Sequence, residues 1–247
     1  WQNKTMMQSL HEAAEKYPEK EALVSFRTEN KQQISLNFKE ILQLTNKIAL
    51  GLKQLGVEKN DVVSCQLPNW WEFSLLYFAC SRIGAVLNPL MPIFRERELE
   101  FMLKHAESKV FIVPKQYRNF DHEQLANKLQ AKLATLQHVV VVNGLGDNNY
   151  DQLLVNHGLE KNLDALTQLD DFHVDPDDVT QLIFTSGTTG EPKGVMHTSN
   201  TLYANIVPYA ERLHLNENDV ILMASPMAHQ TGFMYGLIMP VILQAKV

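Results

Sequence analysis

The sequence predicts an α/β fold with a mostly parallel sheet, and three observations carry that reading. Apolar residues switch repeatedly between helical spacing and short continuous runs along most of the 247 residues. The runs, of which His138-Val-Val-Val-Val142 is the clearest, suit strands covered on both faces rather than strands with one wet side. Glycine, proline and asparagine punctuate the switches, as at Gly56, Pro68-Asn69 and Gly84.

In chain order, Phe38, Ile41, Leu42, Thr45, Ile48, Ala49, Leu52 and Leu55 recur at helical spacing, and Gly56 ends that helix. Residues 61–67 form a short strand. Asn69 then stands as an N-cap with Glu72 three residues on, a variant capping box, and opens a helix running past Tyr77, Phe78 and Cys80 toward Gly84. Trp70 and Trp71 at its start are packing residues. Residues 85–88 give a strand, 96–105 a helix with Arg95 and Arg97 at its solvated start, 109–113 a strand, 121–133 a helix and 138–142 a strand. From 143 to 178 the pattern loosens into a polar, acidic connector read as a solvated linker. Its five closing aspartates lack the glycine-turned loop that a calcium site needs. Residues 179–184 form a strand and 195–197 a second one. Thr198 or Ser199 caps a helix that Pro208 kinks or breaks, and 219–224 is the last strand.

With 45% apolar residues the chain buries a substantial core, as one large domain or two smaller ones. A net charge of −6 without a basic run argues against a nucleic-acid partner. Cys65 and Cys80 sit in apolar patterns and read as buried free thiols of a reducing compartment. The nine histidines show no metal-ligand spacing. The longest apolar stretches, 73–90 with Arg82 inside it and 232–245, are too short for an integral membrane segment, and no leader pattern opens the chain. The expected location is cytoplasmic. The sequence leaves oligomeric state open. A chain that starts at Trp1 and stops at Val247 after an apolar segment is read as a cut fragment.

Residues 185–194, Thr-Ser-Gly-Thr-Thr-Gly-Glu-Pro-Lys-Gly, hold the densest chemistry. Gly187, Gly190 and Gly194 permit backbone conformations and close approaches that a Cβ would block, so that successive N–H groups converge on an anion. Thr185, Ser186, Thr188 and Thr189 add hydroxyl donors, and Lys193 a mobile positive charge. A Walker A loop is excluded, because Lys193 lies between a proline and a glycine where no helix starts. A flexible loop between two strands is expected, poorly ordered without nucleotide. The competing reading is a surface turn with a solvated lysine.

This segment resembles the AMP-binding signature of the adenylate-forming superfamily, which comprises acyl-CoA synthetases, luciferases and the adenylation domains of peptide synthetases. Leu36-Asn-Phe-Lys-Glu-Ile41, Gln66-Leu-Pro-Asn-Trp-Trp-Glu-Phe73, the run from Ala79 to Pro89, and Ser225-Pro-Met-Ala-His-Gln-Thr-Gly-Phe233 are similar to further family segments in the family order. The chain thus looks like a truncated N-terminal domain of that superfamily. Within it, the chain is most similar to bacterial medium-chain fatty acid or cyclohexanecarboxylate CoA ligases.

The resemblance implies a doubly wound sheet over 60–213, supported by the strand and helix alternation, with 1–57 and 214–247 in part of a second α/β sheet and the C-terminal lid domain absent. It implies an ATP-dependent carboxylate–CoA ligase, with Mg2+ bridging phosphate oxygens, CoA as co-substrate and a small-molecule carboxylic acid as partner. Lys193 then has a catalytic role, and Thr185, Ser186, Gly187, Thr188, Thr189, Gly190, Lys193 and Gly194 bind nucleotide. His229 is by spacing alone a structural residue, while the resemblance places it beside the acyl pocket. Phe233, like Tyr235, fits either that pocket or the core. Two other readings stand beside this one: a non-catalytic partial nucleotide-binding domain, and an amino-acid adenylation domain. The later family motifs that hold ribose, form the hinge and supply the C-terminal lysine do not occur in these residues, so the chain by itself is expected to be inactive.

Overall fold

The computed structural model describes residues 2–185 and 192–247. Helix α1 (Met6–Lys16) precedes the antiparallel hairpin of β1 (Glu21–Arg27) and β2 (Gln32–Asn37), and then helix α2 (Phe38–Gln54). The chain continues through β3 (Val62–Cys65), α3 (Trp71–Arg82), β4 (Val86–Pro89), α4 (Glu96–His105) and β5 (Val110–Pro114). A small hairpin, β6 (Gln116–Tyr117) and β7 (Phe120–Asp121), leads into α5 (His122–Gln130) and β8 (His138–Val142). Helix α6 (Leu163–Asp170), β9 (Val179–Thr185), β10 (Lys193–Thr198) and α7 (Ser199–Arg212) follow, and residues 230–243 form consecutive short helical pieces.

The central sheet has the order β10-β9-β4-β3-β5-β8 and is parallel except for β10 against β9. Strand β3 has β4 on one side and β5 on the other, so the winding direction reverses at β3. One apolar cluster joins α1, α2 and α3 to the sheet, through residues such as Leu10, Ile48, Phe73 and Val63. A second, with Leu99, Leu103, Leu125 and Leu129 against Phe111 and Val113, covers the other face with α4 and α5. Every residue of β5 is buried, which is why the strands read as unbroken apolar runs. Helix α2 starts where Asn37 Oδ1 accepts from the Glu40 N–H at 2.8 Å and Glu40 Oε2 accepts from the Asn37 N–H at 2.9 Å, and it ends before Gly56, which adopts a φ of +77°.

Beside this sheet, β1 carries the start of another. Val24 N–H donates to the Val247 carbonyl at 2.7 Å and Val247 N–H to the Ala22 carbonyl at 2.9 Å, a parallel exchange around Leu23. Ile221 N–H donates to the Lys246 carbonyl at 2.8 Å on the far side. The backbone order is therefore β2, β1, residues 246–247, residues 219–221.

Several sequence expectations need correction. Asn69 does not cap α3: the N-cap position is Trp70 and has no side-chain cap hydrogen bond, while Asn69 bonds to residues 225 and 227 instead. Glu72 is likewise no capping-box partner, because its carboxylate lies buried against the Arg27 guanidinium, itself 4.2 Å from the centre of the Trp70 ring. The supposed solvated connector carries α6 and a π-helical turn (Asp151–Val155), with Tyr150 and Leu154 fully buried. Their apolar residues were hidden by polar flanks. Pro208 lies within α7 without breaking it, since the face with Leu202, Tyr203, Ile206 and Ala210 is buried on both sides of the proline. Of the strand expected at 219–224 only Val220 pairs, with Lys246. Cys65 and Cys80 are buried and free, as read, and burial raises both thiols' pKa values.

Candidate active site at the carboxyl edge of the sheet

Strands β3, β4, β5, β8 and β9 run parallel, so they end at one edge. The chain leaves that edge at Thr185 and returns to it at Lys193, the first residue of the antiparallel β10. Lys193 pairs with Thr185 in register, and the Thr185 hydroxyl donates to the Lys193 carbonyl at 3.4 Å. Both side chains are exposed. A Cβ on Gly194 would stand 3.0 Å from Leu182 Cδ1, so a side chain there would crowd the strand opposite. Ser186, Gly187, Thr188, Thr189 and Gly190 lie outside the described residues, as does the expectation about their order. What the register does establish is that a strand, not a helix, follows the lysine.

The segment 225–233 is fastened to the same sheet from two sides. Asn69, on the exit of β3, donates from Nδ2 to the Ser225 carbonyl and accepts from the Met227 N–H through Oδ1, each at 2.8 Å. Gln181, in β9, exchanges two hydrogen bonds with the side-chain amide of Gln230 at 3.1 and 3.2 Å. His229 between these clamps is exposed, and its Nδ1 accepts from the Thr231 N–H at 3.4 Å. Phe233 stands apart from it, fully buried with its ring 4.9 Å from Tyr77 and 6.4 Å from Phe73. The Tyr235 hydroxyl donates to Asn205 Oδ1 at 2.7 Å and its ring stacks on Tyr209.

Where β3, β4 and β5 end, a cavity of about 290 Å³ opens, lined among others by Asn69, Met91, Arg95, Tyr117 and Arg118. It sits at the reversal of strand order, where open α/β sheets bind ligands. Arg95 is exposed at the N-cap of α4, the solvated helix start that the sequence predicts, and it also borders the cavity. Its guanidinium stacks 3.9 Å over Phe120 and donates to the carbonyls of Phe94 at 2.8 Å and Pro92 at 2.9 Å. Beneath the cavity, Gln66 Nε2 donates to the Met91 carbonyl at 2.9 Å and the Phe94 carbonyl at 3.0 Å. Its Oε1 must then accept, so His122 Nδ1, 2.9 Å away, carries the imidazole proton. Burial, aided by the Arg95 charge, pushes His122 down to about 4 and keeps it neutral. Spacing gave no hint of this pair. The switch-point rule, applied to strand ends, is the signal that would have found the cavity.

Among the described residues no group of three His, Cys, Asp or Glu side chains is placed to hold a metal ion, and no helix is long and apolar enough to cross a membrane.

A doubly wound, mostly parallel sheet with a cavity at its carboxyl edge, beside the two strand ends that flank the glycine-rich segment, defines an open α/β protein. The chain belongs to the AMP-binding enzyme family, whose profile matches residues 10–247. It is 31% identical over 246 residues to a medium-chain fatty-acid–CoA ligase of Escherichia coli strain K12, covering all of this chain and 42% of that enzyme. It is also 31% identical over 235 residues to a 2-hydroxy-7-methoxy-5-methyl-1-naphthoate–CoA ligase of Streptomyces carzinostaticus, covering 93% of this chain and 40% of the relative. The solved structure of a long-chain-fatty-acid–CoA ligase from Archaeoglobus fulgidus superposes with a TM-score of 0.78 at 25% identity, over 100% of this chain and 46% of that one. The chain thus spans about two fifths of the curated relatives it matches.

Proposed function

We propose that the protein containing this chain is an ATP-dependent carboxylate–CoA ligase acting on a fatty or alicyclic acid. The observation that carries the reading is the return of the chain to the carboxyl edge at Lys193, opposite Thr185, with the glycine-rich segment between them. A carboxylate acylates poorly until its oxygen becomes part of a good leaving group. In the first step the carboxylate oxygen attacks the α-phosphorus of Mg-ATP, the bond to the β-phosphate oxygen breaks, and acyl-AMP and pyrophosphate form. In the second, the CoA thiol attacks the acyl carbon, loses its proton and expels AMP. Thr185, Lys193 and Gly194, with the loop residues 186–190, hold the polyphosphate, and the Lys193 ammonium neutralises charge growing on pyrophosphate. His229 borders the acid, and Phe233 supports that region from the core. Residues 60–213 form the subdomain bearing the loop, and 1–57 with 214–247 contribute to the second.

The test is carboxylate-dependent pyrophosphate–ATP exchange by the full-length protein with short, medium and alicyclic acids. Lys193→Ala is expected to lower kcat on the order of 10² to 10³, the loss typical of a preorganised donor to transition-state charge. Unchanged exchange would remove this lysine from the mechanism.

A further inference from the structure

Gln181 is fully buried in β9, four residues before Thr185, and the side chain it meets is the amide of Gln230. Each amide donates to the other, at 3.1 and 3.2 Å, closing a ring of two hydrogen bonds. Such a ring fixes orientation as well as contact, which an apolar pair of the same volume does not. Gln230 follows His229 directly, while Asn69 holds the carbonyl of Ser225 and the N–H of Met227 from the other side. Within the segment there is no slack, since a Cβ on Gly232 would fall 2.2 Å from the Pro226 carbonyl oxygen. Residue 229 is therefore held in register by one strand that leads into the phosphate loop and by another that ends at the cavity.

We propose that Gln181 and Gln230 are positioning residues which set the separation between the phosphate-binding strand pair and the His229 segment, and so align the bound carboxylate with the α-phosphate. This rests on the ligase reading above. Neither amide needs to touch a reacting atom. The pair acts because attack requires the carboxylate oxygen within a near-attack distance of phosphorus, and a shift of ~1 Å costs about 10²-fold.

The experiment uses full-length Gln181→Leu, Gln230→Leu, the double Leu variant and Gln230→Asn, each assayed by pyrophosphate–ATP exchange and thermal unfolding. Single Leu variants leave one amide unpaired, and the double variant relieves that burden, so its thermal midpoint is expected to return toward that of the unsubstituted protein. Its kcat/KM for the carboxylate is nonetheless expected to stay about 10- to 100-fold low, with KM for ATP changed less than about twofold. Gln230→Asn, half-buried and shorter, carries the same readout if Gln181→Leu does not fold. A double variant with unaltered carboxylate kinetics, or one whose loss appears mainly as a roughly 10- to 100-fold higher KM for ATP, overturns the positioning role. If the unsubstituted protein exchanges with no acid, the ligase reading itself falls and takes this inference with it; robust exchange with unaffected variants sinks this inference alone.

Discussion

His122 shows how much of the site's surroundings depends on single protons. Its neutral ring donates to Gln66, which ties down the carbonyls of Met91 and Phe94 at the cavity wall. Burial first, and the Arg95 charge second, lower its pKa from 6.5 to about 4, against a small opposing effect of Asp121. A depressed histidine contributes stability that is present above the unfolded value and lost as pH falls toward the folded one. Stability is therefore expected to fall between pH 6.5 and about 4 through this group, by on the order of 2 to 3 kcal/mol. Urea unfolding of the protein and of His122→Phe across that range checks it, with a shallower pH slope expected for the variant; parallel slopes refute it. Nothing in the order of residues around 122 reveals the pair, because Gln66 lies on a different strand exit. Asn69 and Glu72 teach the converse. Their spacing is that of a capping box, yet long-range partners at Ser225, Met227 and Arg27 claim both side chains.

At the scale of elements, α2 and the π-helical turn at Asp151–Val155 depend on one close approach. A Cβ on Gly51 would meet the Leu153 carbonyl oxygen at 2.6 Å and Leu154 Cα at 2.7 Å, both backbone atoms that cannot swing aside. Gly51→Ala is expected to destabilise the protein by about 1 to 3 kcal/mol, as overpacking does, despite the better helix propensity of alanine. A denaturant midpoint lowered at constant m-value is the expected observation, and an unchanged or raised midpoint would show that the turn gives way freely. Helices α2, α4 and α5 and strands β5 and β8 were legible because their buried faces repeat with the local period. The turn at 151–155, α6 and the pairing of Val220 with Lys246 were not, since each is stabilised by contacts that lie far away along the chain. The strands flanking the glycine-rich segment belong to the first class, for Pro192 and Gly194 around Lys193 exclude a helix locally. The clamps on His229 belong to the second.

For the whole molecule, a buried charge pair links β1 of the smaller sheet to helix α3, which covers the central one. Arg27, at the end of β1, and Glu72, in α3, are 5% and 3% exposed and in contact. Burial raises the pKa of Glu72, and the Arg27 charge opposes that shift. The stacked Trp70 ring lets the guanidinium sit where water does not reach. A pair of this kind adds little over a matched apolar pair, but either partner left alone is costly. Arg27→Met is accordingly expected to lose about 3 to 5 kcal/mol and to loosen the β1–β2 hairpin, whereas Arg27→Met with Glu72→Leu recovers most of it. Hydrogen exchange separates this from a general loss of stability. Amides of β1 and β2 should exchange faster in the single variant than in the double, while those of β5 and β8, in the central sheet, follow global unfolding in both. If the double variant were as unstable as the single, the pair itself would be a net source of stability, and the hairpin would be held by charge rather than by the apolar contacts of Ala22 and Leu23.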